Sequence, residues 1–182
     1  MKKNIGSKNM LNPTPATVVG SVDENGKVNF LLVAHIGIVS HSKILVSMHQ
    51  SHFSNAAIRA SKKLSINLID ESFIREADYT GTVSGAKVDK SNAFEYQLGE
   101  SGMPVIEKSP LVMECDVIDI YEIDGFDNFI CSIANTYVEE TLLDDKDKPI
   151  YENLKPVLFE MPTYKYLRTG GIIGDCIKIS KT

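Results

Sequence analysis

The sequence predicts a mainly β fold with short helices, an antiparallel sheet closed or partly open as a barrel, and three observations predict it. Short apolar and β-branched runs recur along the first half, at Thr17 to Val22, Lys27 to Ile36, Lys43 to Met48 and Leu64 to Ile69. The connection between the first two is Asp23-Glu24-Asn25-Gly26, and Asn-Gly is a hairpin signal because both central residues are expected at positive φ. Only one segment, about Ser54 to Lys63, has good helical character. Hairpins in place of a βαβ alternation favour an antiparallel barrel over a doubly wound sheet.

Taken in order, each element has its own warrant. In the helix after the third run, Ala56, Ala57, Ile58 and Ala60 are mostly small and allow close packing on a sheet, with Ser51 or Ser54 as the cap. Ile74 to Tyr79 reads as a helical turn and Lys90 to Leu98 as a further short helix ended by Gly99. Leu111, Met113, Cys115 and Val117 alternate with more polar partners, as in a half-buried strand. A turn at Asp124-Gly125 leads into Phe129 to Val138, so these two long runs form an antiparallel pair. Asp144 to Pro149 is a charged loop, and Asp175 to Ser180 reads as a closing strand. The glycines of Thr169 to Gly174 suit a tight chain reversal before it.

Size and charge narrow the function. At 182 residues the chain is expected to be one domain spanning residues 1–182, long enough to bury most of its apolar surface. A net charge of −5 argues against general nucleic-acid binding, which needs a basic footprint. No apolar run approaches the roughly 18 residues of a membrane span, and nothing apolar follows Met1-Lys2-Lys3-Asn4 as it would in a secretory leader. Cys115, Cys131 and Cys176 are odd in number and form no CxxC pair, which fits a reducing cytoplasm. There is no GxSxG, P-loop or HExxH motif.

The residues with chemistry to offer gather around one helix start. Ser51, His52, Ser54 and Asn55 are suited to capping a helix, and equally to holding a phosphate at the positive end of the helix dipole. Asn29, Ala34, His35 and Ser47 lie in or near strand interiors, where polar groups either face solvent or meet a ligand ring edge. His49 and His52 form an HxxH spacing, but they precede the helix and no third ligand follows; His41 falls in an exposed turn. The Ser84-Gly85-Ala86-Lys87-Val88-Asp89-Lys90 loop carries two lysines able to neutralise a phosphate, or simply to face water.

Several of these features, in this order, resemble the flavin reductase-like, FMN-binding split-barrel proteins of the flavoredoxin type. The matching stretches are Pro13 to Val19, Gly26 to Phe30, Ile44 to Met48, His52 to Ile58, Leu64 to Leu68, Ser84-Gly85 with Val88 to Lys90, and Leu111 to Cys115. The resemblance implies a split β-barrel, antiparallel and Greek-key-like, that dimerises and binds FMN near the dimer interface. Carried over by position, Asn29 and Leu32, Val33, Ala34 and His35 would line the flavin ring. Ser47 and Met48 would meet the ring or ribityl chain, and His52, Ser54 and Asn55 the phosphate. Asn67 would support the ribityl side, while Ser84, Gly85 and Lys90 would close the site. Tyr164, with Tyr166, falls where the family often places an aromatic near the partner's flavin. Family members often carry Ser or Thr where this chain has Ala34-His35. The implied activity is that of a flavin-dependent oxidoreductase or electron carrier, supplied by NADH, NADPH or a redox protein; a non-enzymatic flavin- or haem-binding barrel is the alternative.

Overall fold

The computed structural model describes residues 1–181. Its strands are β1 (Thr14–Pro15), β2 (Thr17–Val22), β3 (Val28–Val33), β4 (Ile36–Ser40), β5 (Lys43–His49), β6 (Lys63–Leu68), β7 (Tyr96–Leu98), β8 (Pro104–Ile106), β9 (Leu111–Ile123), β10 (Phe126–Val138), β11 (Leu158–Glu160) and β12 (Lys165–Leu167). Helices α1 (Ser54–Ser61), α2 (Ile74–Thr82) and α3 (Tyr151–Leu154) connect them. Seven strands form one antiparallel sheet in the order β3-β2-β6-β9-β10-β5-β4. Its two edge strands, β3 and β4, are consecutive in the chain, joined by Ala34 and His35 without a ladder between them. The barrel is therefore split at that junction, and α1 carries the chain from β5 across to β6, beside β2. The smaller sheets β1-β11-β12 and β7-β8 cover its outside.

The first strands are buried on both faces, and their alternation divides the core. Val19, Leu31, Val46, Leu64, Phe129 and Ile58 of α1 pack on one side. Val18, Phe30, Ile69, Phe73, Phe94 and Val157 pack on the other, beneath α2 and the small sheets. Phe30 anchors the second side, with Phe94 edge-on at 5.0 Å and Tyr96 at 5.5 Å. The long pair β9–β10 runs from Phe126↔Ile123 to Val138↔Leu111, with register shifts at Ile130/Cys131 and Ile133/Asn135.

Several sequence expectations are revised. Lys27 to Ile36 is not one strand, because the chain leaves β3 after Val33 and begins β4 at Ile36. In the first hairpin only Gly26 takes positive φ, at 78°; Asp23 closes the turn by accepting from Gly26 N and donating to the Lys27 carbonyl. Residues 90–98 form turns and then β7, not a helix, since Phe94 and Tyr96 are drawn onto Phe30. Residues 175–180 make turns leading into a 3-10 segment at Ile179–Lys181 rather than a strand, and the glycines before them lie in exposed irregular chain. Helix α1 also starts without a side-chain cap, at Phe53.

Gly20 is required by close approach. A Cβ there would sit 2.5 Å from both Pro104 Cγ and Ser65 Oγ, because β8 crosses β2 at that point. Gly20→Ala is expected to lower stability by about 1–3 kcal/mol, the usual range for overpacking a core, read as a drop in urea midpoint.

Candidate functional site

The split in the barrel opens a cavity of about 270 Å³. One wall is the end of β3 and its exit, Leu32 to His35, and the other is the end of β5, Ser47 to His49. Ser47 N donates to the His35 carbonyl at 2.9 Å and holds the walls at this spacing. Phe126 closes the floor because β10 pairs with β5 in the register Phe126↔His49; its ring lies 5.2 Å from His49 and 5.8 Å from His35. Phe159 and Met161 arrive from the β11–β12 hairpin, and Met161 Sδ is 3.4 Å from His35 Nε2. The lining is mostly apolar with a few ring nitrogens and strand-end backbone groups, which suits a flat heteroaromatic ring.

His52 joins this cavity to a second one of about 250 Å³. Here the lining reverses in character: Ser51, Ser54, Ser84, Thr82, His52 and Lys90 contribute polar groups, and no carboxylate is among the lining residues. The Ser54 hydroxyl accepts from Asn29 Nδ2 at 2.7 Å, leaving its own proton for an acceptor in the cavity. Lys90 is buried and donates to the Thr80 and Val83 carbonyls at 2.9 and 3.3 Å, tying its charge to the C-terminal end of α2. Burial pushes its ammonium down to about 8. The His52 imidazole is also pushed down, by partial burial first and then by the neighbouring His49 and Lys90. One cationic side chain, Lys90, with no carboxylate in the lining, together with the His52 ring, the serine hydroxyls and the first turn of α1, forms a site for an anion such as phosphate.

Gly85 shapes the wall of this second cavity. A Cβ at that position would meet Asn29 Oδ1 at 2.5 Å and Phe53 Cδ1 at 2.6 Å, so only glycine lets the 84–90 loop close on the Asn29–Ser54 pair.

Of the residues expected at the site, Leu32, Val33, Ala34, His35, Ser47, Met48 and His52 line the first cavity, and His52, Ser54, Ser84, Gly85 and Lys90 the second. Asn29 stands behind the second, through Ser54. Asn55, in the first turn of α1, is buried and lines neither cavity, donating to Asp127 Oδ2 at 2.8 Å and to the Met48 carbonyl at 3.5 Å. Tyr164 is exposed at the β11–β12 turn, its ring 6.2 Å from Phe159. Asn67 lies apart from both cavity linings. It donates to the Val18 carbonyl and Ser65 Oγ and accepts from Ile106 N, so its hydrogen-bonding capacity goes to joining β2, β6 and β8. Phe126, Phe159 and Met161 were not anticipated, because strand pairings of long sequence separation bring them in; the Asp124-Gly125 turn, which places Phe126 at a strand start, was the one local signal. His49 and His52 have ring centroids 6.5 Å apart, and among the described residues no group of three His, Cys, Asp or Glu is placed to hold a metal ion.

A larger groove, about 980 Å³, runs along β4 and is lined by Ile36, Ile38, Ile44, Met113 and Ile133 among others. Its lining is mostly apolar, with Thr17, Ser40, His41 and Tyr151 as its polar members, and Thr17 already donates to the Val33 carbonyl. Among the described residues no helix is long and apolar enough to cross a membrane.

No curated protein matches the chain. Among solved structures, flavoredoxin from Methanosarcina acetivorans is similar at 29% identity, with a TM-score of 0.93 over 100% of this chain and 98% of that one. Flavoredoxin of Desulfovibrio vulgaris (Miyazaki F) is similar at 26% identity, with a TM-score of 0.92 over 99% and 100%. An FMN-binding protein from Thermus thermophilus shares the fold at 21% identity, with a TM-score of 0.81 over 96% and 97%. The family model described as the flavin reductase like domain matches residues 10–166, and with that match spanning most of the chain the protein belongs to the flavin reductase like family.

Proposed function

We propose that this chain is an FMN-binding flavoprotein with oxidoreductase activity. The observation that carries the reading is the pair of contiguous cavities: one flat and mostly apolar between β3 and β5, one cationic and free of carboxylates beside α1, meeting at His52. Together they fall within the range of about 300–1,000 Å³ typical of small-molecule sites. The Gly85 cradle and the unspent Ser54 proton fit a phosphate-tailed ligand.

In this reading Leu32 to His35 and Ser47 to His49 hold the ring, Phe126 and Met161 exclude water from its edge, and His52, Ser54, Ser84 and Lys90 hold the phosphate. When bound, FMN supplies the hydride- and electron-transfer chemistry. The protein's share is orientation and hydrogen bonding, which is why the site needs no nucleophile or catalytic triad. NADH or NADPH, or a redox protein, is the donor. We read residues 1–182 as a single flavin-binding domain working in the cytoplasm. A second copy seated on the apolar β4 groove would form a homodimer and bring Tyr164 near the partner's flavin.

Two readouts test this. FMN affinity is expected to fall as pH rises through about 8, where Lys90 loses its charge; the sign follows because the charged amine is the phosphate-binding form. Under anaerobic conditions NADH or NADPH is expected to bleach the flavin absorbance of the FMN-loaded protein. Tight FMN binding with no bleaching by either nucleotide, and none by a reduced ferredoxin-type protein, would instead select the non-enzymatic binding module.

A further inference from the structure

The segment from Met48 to Ser54 lines both cavities, and its position is held from outside them. Asp127 stands on β10 directly opposite Met48 in the strand register and is buried, yet lines neither cavity. Its carboxylate accepts from three separate points on the chain that follows Met48. Gln50 Nε2 donates to Oδ1 at 3.0 Å and Asn55 Nδ2 to Oδ2 at 2.8 Å. Arg59 makes a two-pronged contact, Nε to Oδ2 at 3.0 Å and a terminal nitrogen to Oδ1 at 2.6 Å. Arg59 reaches on to Glu122 at 2.5 Å, on the neighbouring strand β9.

These contacts span the loop before α1, its first turn and its second turn. The Asn55 side chain depends on Asp127 in particular: its Oδ1 is buried with no hydrogen-bond partner, so its orientation rests on what Nδ2 donates to. Helix α1 has no side-chain cap of its own. Short bonds hold Ser51 and His52 to His49, Gln50 N to the Gly125 carbonyl and Ser54 to Asn29, and Asp127 adds the side-chain contacts that tie the loop and α1 together to β10.

We infer that Asp127 is a positioning residue for the anion end of the site, setting the placement of the 50–55 segment, and so of His52 and Ser54, relative to the ring cavity. The inference rests on the flavin reading above. It gives Asp127 a selective role: loosening the segment displaces the phosphate contacts, while the ring walls, held by β3, by the Ser47–His35 bond and by Phe126, stay in place. A carboxylate that merely stabilised the fold would weaken all ligands alike.

The test compares FMN with riboflavin, which carries the same ring and ribityl chain without the phosphate. Dissociation constants for both are measured by flavin fluorescence on the wild type, Asp127→Asn and Arg59→Lys. Asp127→Asn keeps the shape but replaces one acceptor oxygen with a donor facing Asn55 or Arg59. It is expected to weaken FMN about tenfold or more and riboflavin by less than about threefold, collapsing the preference for the phosphorylated ligand. Arg59→Lys is expected to move the preference in the same direction by a smaller factor. It decides the matter alone if Asp127→Asn does not fold, as judged by its thermal melt. An unchanged FMN-to-riboflavin ratio in the folded variants, or an equal loss of both ligands, overturns the inference and leaves the flavin reading standing. A wild type that binds neither flavin overturns both.

Discussion

Replacing Glu114 with Ala is expected to destabilise the protein by about 3–5 kcal/mol, the largest single-residue effect outside the apolar core. Glu114 is fully buried on β9, and its two oxygens accept from Ser101 N, Met103 N, Asn135 Nδ2 and the Tyr137 hydroxyl. The carboxylate organises the loop between β7 and β8 and ties it to β10. Gly99 passes so close that a Cβ would lie 2.7 Å from the carboxyl group. Truncation strands four donors at once, Met103 N buried and those of Ser101, Asn135 and Tyr137 half-buried, and a buried donor left unpaired costs about 1–3 kcal/mol. Glu114→Gln is at most a partial rescue, because the Tyr137 hydroxyl can accept from the amide NH₂ but Asn135 Nδ2, Ser101 N and Met103 N can only donate. Burial raises the Glu114 carboxyl, but the four donors outweigh it and leave it below the ordinary carboxylate range. A folded-state pKa below the unfolded one stabilises above the unfolded value and is lost as pH falls through the folded value. The urea-midpoint gap between wild type and Glu114→Gln is therefore expected to be full at pH 7 and to shrink as pH falls below about 4.

The second large effect falls on binding. Gly85→Ala places a methyl group where Asn29 Oδ1 and Phe53 already stand, at 2.5 and 2.6 Å. Neither neighbour yields easily. Asn29 is buried and committed to Ser54, and Phe53 immediately precedes α1. The 84–90 loop has to move out instead, taking Ser84 away from the second cavity and pulling on Lys90. FMN affinity is expected to fall at least about tenfold, roughly 1.4 kcal/mol. The thermal midpoint should change little, since the loop is largely exposed. A variant that binds FMN as the wild type does would show that the 84–90 loop is not part of the site.

The β-rich architecture was legible because its signals are local. Turn residues at 23–26 and 124–125 and the alternation after Leu111 depend only on near neighbours, and the corresponding hairpins form. The helix start at 51–55 was legible as polar, but not its internal order. Ser54 serves as partner to Asn29 rather than as a cap, and Asn55 turns away from the cavities to Asp127. The errors share one cause, which is that strand-like and helix-like patterns are settled by long-range partners. Asp175 to Ser180 alternates as a strand would, yet joins no sheet. Residues 90–98 have helical composition, but Lys90 is held by the carbonyls at the end of α2 and Phe94 by Phe30, which stretches the chain between them. Asn67, which the resemblance places on the ribityl side, stands outside both cavity linings. Its three bonds across β2, β6 and β8 show the other way a buried amide is satisfied. The far wall of the ring cavity, from Phe126 to Met161, comes from chain more than 70 residues beyond Ser54.

The most direct measurement is the stoichiometry of FMN on the purified full-length chain, by titration of FMN fluorescence followed by release on denaturation. Saturable quenching with one FMN recovered per chain is the expected result. A chain that leaves FMN fluorescence unchanged throughout the titration and releases no flavin would contradict the assignment of the two joined cavities as a flavin site.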